Sequence, residues 1–158
     1  MRSLRTYLHE AEGIKLMLLG GPGSGKSTYS EYISEHFDIP HIYPGDMLRK
    51  SDDPEVKALI SKGEFAPLAV VVKIIKQEIA KAPNGYILDG FPRNLEQLKE
   101  MHDAGIEINR VIYLDVSDAE VIKRLTARGR ADDTPEIVKN RLKVYDRETG
   151  PVVDYYKG

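Results

Sequence analysis

Ile14-Lys15-Leu16-Met17-Leu18-Leu19-Gly20-Gly21-Pro22-Gly23-Ser24-Gly25-Lys26-Ser27-Thr28 is the stretch that decides the fold. An apolar run of strand length leads directly into a turn of the form G-x-x-x-x-G-K-[ST], and helical periodicity follows it. A polyphosphate carries several negative charges, so a chain that binds one must bring backbone N–H groups close to its oxygens. Residues without side chains, here Gly23 and Gly25, let the backbone approach and turn that tightly. Lys26 adds a point charge toward the β- and γ-phosphates, the Ser27 hydroxyl is placed to reach a magnesium ion, and the helix that follows aims its positive end at the anion. A strand before and a helix after are the context that this loop requires.

Outward from the loop, strand-like runs alternate with helix-like ones, the pattern of an α/β protein with a parallel sheet covered on both faces. Tyr29, Tyr32, Ile33 and Phe37 recur at helical spacing and predict one apolar stripe on the helix after the loop. Short strands are expected at His41-Ile42-Tyr43, Tyr86-Ile87-Leu88 and Val111-Ile112-Tyr113-Leu114. Asp53 reads as an N-cap with Pro54 at the first helical position, and Gly63 as the stop of that helix. A helix over about Leu68 to Ala80 is expected to be apolar on its Val70, Val71, Ile74 and Ile75 face. Asn94 to Ala104 reads as another helix, ended by Gly105; Ser117-Asp118-Ala119-Glu120 is a capping box. Thr134-Pro135 opens a last long helix, expected to stop at Gly150-Pro151. Leu4, Tyr7, Leu8 and Ala11 share one helical face, so residues 1–13 read as an amphipathic extension.

Composition bounds the rest. The 158 residues suit one domain without staples, and the absence of cysteine removes disulfides, thiolate zinc sites and cysteine nucleophiles together. Net charge is -2, with 30% charged residues of both signs interspersed, so no global basic field argues for nucleic acid. No apolar run approaches bilayer length and the first residues lack a signal-peptide core, so no membrane partner is expected and the protein reads as cytoplasmic.

The strands beginning at Ile14, Tyr86 and Val111 should all end at the same edge of the sheet, where open parallel sheets bind ligands. Asp89 leaves its strand at that edge, and an acidic residue there, in a chain with a phosphate loop, is the usual partner for magnesium, directly or through water. Arginines form a second group: Arg124, Arg128, Arg130 and Arg141 flank one short loop between two helices, with Arg49 and Arg93 elsewhere. Planar guanidinium forks match the charge spread over a transferring phosphoryl group. The four histidines show no ligand spacing and none is assigned to catalysis.

Five segments in collinear order, from about Ile14 to the C-terminus, resemble the adenylate kinases: Gly20 to Thr28; Pro44-Gly45-Asp46-Met47-Leu48-Arg49; Gly63-Glu64-Phe65-Ala66-Pro67; Asp89-Gly90-Phe91-Pro92-Arg93 with Gln97; and Arg130-Ala131-Asp132-Asp133 through Arg141-Leu142 to Tyr155-Tyr156. The resemblance implies a P-loop nucleoside-phosphate kinase fold and transfer of the ATP γ-phosphate to AMP, giving two ADP, with Mg2+ and no zinc. It implies one kinase domain with an acceptor-binding subregion over about 43–80 and a minimal lid loop over 128–133. On the ATP side it places Gly21, Gly23, Ser24, Gly25, Lys26, Ser27, Thr28, Arg124 and Arg128; on the AMP side Pro44, Gly45, Arg49, Ala66, Gly90, Arg93, Gln97, Arg130 and Arg141. Of these, Lys26, Arg93, Arg124, Arg128, Arg130 and Arg141, together with Asp89, would carry catalysis, and Ser27 and Asp89 would serve the metal. The attacking phosphate of AMP is already ionised, so no general base is required.

Three departures from the family pattern carry expectations. Pro44 stands where the family typically has threonine, so the hydroxyl near the acceptor base is lost; a kinase of UMP or CMP stays open as an alternative. Only Gly129 separates Arg128 from Arg130, where relatives place a lid of variable length, and the chain ends at Gly158, where relatives continue through a further strand and helix. Two outcomes follow: a wetter site that hydrolyses some ATP without AMP, or cover from a second copy in a homo-oligomer, which is the favoured expectation. A nucleotide-binding module with little turnover is the reading from another class.

Overall fold

The computed structural model describes residues 13–61, 66–131 and 133–158. The Leu4, Tyr7, Leu8 and Ala11 face and the Gly63 stop lie outside the described residues. Among those described, strands β1 (Ile14–Gly20), β2 (His41–Ile42), β3 (Gly85–Asp89) and β4 (Arg110–Leu114) form one parallel sheet in the order β2-β3-β1-β4. The helices are α1 (Lys26–Phe37), α2 (Pro44–Lys50), α3 (Pro54–Ser61), α4 (Leu68–Ala80), α5 (Leu95–Asp103), α6 (Asp118–Arg128) and α7 (Pro135–Lys157).

The apolar run of β1 splits by its period of two, as a strand buried on both faces must. Met17 and Leu19 point to one side, with Ile75 of α4, Leu98 and Met101 of α5 and Val152 of α7. Ile14, Leu16 and Leu18 point to the other, with Ile33 of α1, Ile39 and Ile87. A third cluster, Val121 and Leu125 against Val138 and Leu142, fixes α6 on α7. The register pairs Leu18 with Asp89 and Gly20 with Leu114, so the loop after β1 and the carboxylate at the end of β3 emerge side by side.

Caps set most helix starts where the sequence places them. Asp53 Oδ1 accepts from the Glu55 N–H at 2.8 Å, Asn94 Oδ1 from Gln97 at 2.9 Å and Thr134 Oγ1 from Ile137 at 3.4 Å. The capping box at Ser117 is half made: Ser117 Oγ accepts from the Glu120 N–H, whereas the Glu120 carboxylate takes Arg124 Nε at 2.8 Å.

Three expectations are corrected. On α1, Tyr29 and Tyr32 are 46% and 59% exposed, and the buried positions are Ser30 and Ile33. The aromatic spacing therefore marks a flank of the helix, while the small Ser30 lets it lie close to β3. On α4 the buried positions are Val72 and Ile75, with Leu68, Val71 and Ile79 packed beside them, a face rotated from the expected one. Lys73, Lys76 and Gln77 take the exposed side, and the buried side lies opposite them. Helix α7 does not stop at Gly150-Pro151 but runs through Pro151 to Lys157. A proline inside a helix costs about 3 kcal/mol. Burial of Val152 and Val153 beyond it contributes roughly 1.5–3 kcal/mol each, so packing outweighs the break.

Candidate functional site

Side chains from the loop after β1, the end of β3, α5, α6 and α7 line one cleft of about 790 Å³ at the carboxyl edge of the sheet. The loop keeps its shape through backbone conformations that L side chains rarely adopt, φ +71° at Gly23 and +93° at Gly25, the N-cap of α1. A Cβ on Gly23 would lie 2.9 Å from Leu125 Cγ, so the loop seats directly on α6. Lys26 Nζ donates to the carbonyls of Gly20 at 2.5 Å and Gly21 at 3.2 Å. Burial lowers its pKa, the Asp89 charge opposes that, and the Arg93 charge adds to the lowering.

Asp89 is buried at the end of β3, and its Oδ2 lies 3.0 Å from His41 Nε2 and 3.4 Å from Ser30 Oγ, which donates to it. Spacing in the sequence gave no sign of His41, because strand pairing of β2 with β3 is what brings it there. Ser27, with a hydroxyl oxygen, lines the same cleft. Among the described residues no group of three or more His, Asp or Glu side chains could hold a metal by itself. One carboxylate and one hydroxyl, both hard oxygen donors, instead fit a magnesium ion bound chiefly through substrate phosphates and water.

On the far wall, Arg93 Nε donates to the Gly90 carbonyl at 2.9 Å and its backbone N–H to Gln97 Oε1 at 2.7 Å. The Gln97 carbonyl oxygen is thus engaged by the backbone of Arg93. Thr149 Oγ1 donates to the Arg93 carbonyl at 2.8 Å, a brace across 56 residues.

The arginines of α6 and α7 are held by a buried carboxylate that the sequence reading left without a role. Asp133 Oδ2 accepts from Arg128 Nε at 2.8 Å, and its Oδ1 from Arg128 Nη2 at 2.9 Å and Arg141 Nη1 at 3.3 Å. These bonds, the Arg128 pair first, hold the Asp133 carboxyl below the usual aspartate range. A carboxyl depressed in the folded state contributes stability that is complete above its unfolded pKa, about 4, and is lost as pH falls through the lower folded value. Asp133→Asn should therefore lower the melting temperature at neutral pH, and the gap from the parent should narrow in melts below about pH 4. A gap unchanged down to about pH 3 would count against the clamp.

The structure thus brings Lys26, Asp89, Gly90, Arg93 and Gln97 to one cleft with Gly23, Ser24, Gly25 and Ser27, and with Arg124, Arg128 and Arg141. It does not place the other expected residues on that wall. Gly21 packs beside Tyr145 behind the loop, Thr28 faces outward on α1, and Arg130 is exposed after the Gly129 cap of α6. Pro44 is buried at the first position of α2, with Gly45 next to it, Arg49 is exposed near the end of that helix, and Ala66 is half-buried before α4.

Comparison with known proteins decides the family. The family model described as Adenylate kinase matches residues 18–158. The chain belongs to the adenylate kinase family. It is 41% identical over 152 residues to an adenylate kinase of Prochlorococcus marinus (strain MIT 9515), covering 90% of this chain and 84% of that one. It is 40% identical over 156 residues to an adenylate kinase of Rhodococcus erythropolis (strain PR4), covering 91% and 86%. An adenylate kinase of Leptospira biflexa serovar Patoc matches at 41% over 162 residues, covering 90% and 86%. The chain is accordingly an enzyme of the ATP:AMP phosphotransferase type, a nucleotide-binding kinase on an α/β fold. No helix among the described residues is long and apolar enough to cross a membrane.

Proposed function

We propose that this adenylate kinase transfers the γ-phosphoryl group of magnesium-bound ATP to AMP in the cytoplasm, as one kinase domain. Residues 43–80 form its acceptor subregion and 128–133 a short loop in place of a lid. The observation that supports the reading is that the acceptor-side pair Arg93 and Gln97 shares one cleft with the loop Gly23 to Ser27. Two phosphate-bearing ligands thereby meet end to end.

In this reading the loop amides and Lys26 take the donor β- and γ-phosphates, with Gly21 and Thr28 behind them and Arg124 and Arg128 beside them. Arg49 and Arg93 clamp the acceptor phosphate, Gln97 reads its base, and Pro44, Gly45, Ala66 and Gly90 form the walls of that subsite. Arg130 and Arg141 serve the group in flight. Ser27 and Asp89 would hold a magnesium ion, directly or through water, and the ion would supply neutralisation of phosphate charge. His41 and Ser30 keep the Asp89 carboxylate in place. The acceptor oxygen is already an anion, so the protein's contribution is alignment and charge stabilisation, which together account for most of the rate in phosphoryl transfer.

Coupled measurement of ADP formed from ATP with AMP, UMP or CMP tests the assignment; faster turnover of UMP or CMP than of AMP would overturn it. Arg49→Ala and Arg93→Ala should each raise the KM for AMP more than that for ATP. Pro44→Thr should sharpen the preference for AMP, since a buried hydroxyl left unpaired rejects a wrong base more strongly than apolar contact does. Loss of ATP affinity with AMP affinity unchanged, in either arginine variant, would place the acceptor pocket on the wrong side.

A further inference from the structure

Tyr43, between β2 and α2, has a side chain that the reaction described above does not use, yet it lines the cleft. Its backbone is fixed: extended at φ −119° and ψ 98°, it caps α2, with its carbonyl accepting from the N–H groups of Asp46 at 3.1 Å and Met47 at 3.2 Å. Two glycines then show where the ring goes. A Cβ on Gly90 would lie 2.9 Å from Tyr43 Cε2 and 3.6 Å from Arg93 Nη2. A Cβ on Gly45 would lie 3.5 Å from Tyr43 Cζ, 3.6 Å from its hydroxyl and 3.6 Å from Arg49 Nη1. One edge of the ring therefore rests on the glycine beside Arg93, and its hydroxyl end on the glycine beside Arg49.

The two arginines are held unequally. Arg93 is anchored by its own bond to the Gly90 carbonyl. The Arg49 side chain is 59% exposed, and its Asp46 contact, at 3.8 Å, is too long for a hydrogen bond. Its guanidinium carbon does lie 5.9 Å from the centroid of the Tyr43 ring, within the range of a cation–π contact. The ring also lies near-parallel to that of His41, at 6.3 Å and 12°, and His41 is itself bonded to Asp89.

We propose that Tyr43 is a positioning residue for acceptor binding: its ring is the spacer that sets Arg49 at a fixed distance from Arg93, so that the two guanidiniums receive the phosphate of a nucleoside monophosphate together. The inference rests on the reading of Arg49 and Arg93 as the acceptor clamp. It assigns Tyr43 no contact with the reacting atoms. Its effect runs through Arg49 alone, because Arg93 already has its anchor.

Steady-state kinetics on the full chain test it with a double-variant cycle. Tyr43→Leu should raise the KM for AMP about fivefold, the upper scale of a cation–π contact at an exposed site, and leave the KM for ATP within about twofold. Tyr43→Phe, which keeps the ring, should recover most of that loss. In an Arg49→Ala background, Tyr43→Leu should change the KM for AMP by less than about twofold, because the group it positions is gone. If Arg49→Ala raises the KM for AMP but the Tyr43→Leu effect multiplies with it, or if Tyr43→Leu raises both KM values alike, the spacer role is wrong. If Arg49→Ala itself leaves the KM for AMP unchanged, the acceptor clamp fails, and this inference fails with it.

Discussion

Lys26→Ala should reduce turnover at least about a hundredfold, the loss seen when one preorganised charge stabiliser is removed from a transition state, while the protein stays folded. The ammonium is tethered to the carbonyls of Gly20 and Gly21, inside the turn whose amides form the cradle, and Asp89 is the charge that favours its ionised form. Nothing else in the loop carries a positive charge. Alanine keeps the backbone amides and the start of α1, so ATP binding should weaken far less than kcat falls. The size of the stability change separates a catalytic loss from an unfolding one. Burial depresses the lysine pKa, so the folded state disfavours the charge, and losing it offsets part of what the lost bonds to Gly20 and Gly21 cost; the melting temperature should change little. Activity within a few-fold of the parent would refute the role; a large fall in melting temperature would show that the loop depends on Lys26 for its shape.

The largest effect on stability is expected from Gly85→Ala, far from the cleft. Gly85 opens β3 at φ +124°, paired with Ile14, and a Cβ there would lie 2.2 Å from the Ile14 carbonyl oxygen and 2.7 Å from the Ile14 nitrogen. Both are backbone atoms of the central strand β1, so no rotamer relieves the clash. Either the pairing of β1 with β3 opens at its start or the strands shift, and a loss on the order of 4 kcal/mol follows, at the extreme of single-substitution effects. Denaturant titration measures it directly. A midpoint shift equivalent to less than about 1 kcal/mol, in the range of ordinary substitutions, would mean that β3 can begin one residue later without cost.

The two predictions mark different levels of legibility. Lys26 could be singled out from sequence because its pattern is local: the glycines and the lysine are joined by consecutive backbone, and a phosphate loop tolerates little variation in their spacing. Alternation of strands and helices, the caps at Asp53, Ser117 and Thr134 and the emergence of Asp89 beside the loop were legible for the same reason, since each depends on neighbours a few residues away or on the parallel order of strands. Gly85 carried no such mark. Its constraint comes from Ile14, a residue 71 positions earlier, whose backbone lies against it only once the sheet has formed.

The same distinction runs through the cleft. The sequence placed arginines on both sides of a short loop but could not say what holds them; Asp133 clamps Arg128 and Arg141 because α6 and α7 pack through Val121, Leu125, Val138 and Leu142. It could not connect His41 to Asp89, which takes strand pairing, nor Tyr43 to Arg49 and Arg93, which takes two glycines from separate segments meeting one ring. It misjudged α7, where the local cost of Pro151 is real but smaller than the burial of Val152 and Val153 that follows it. By itself, then, the sequence determined the phosphate loop, the class of fold and the family resemblance, all of which rest on short-range spacing. Only the tertiary structure decided which carboxylate holds Arg128 and Arg141 and which ring lies against Gly45 and Gly90, because those contacts join residues that nothing but the folded sheet brings within reach.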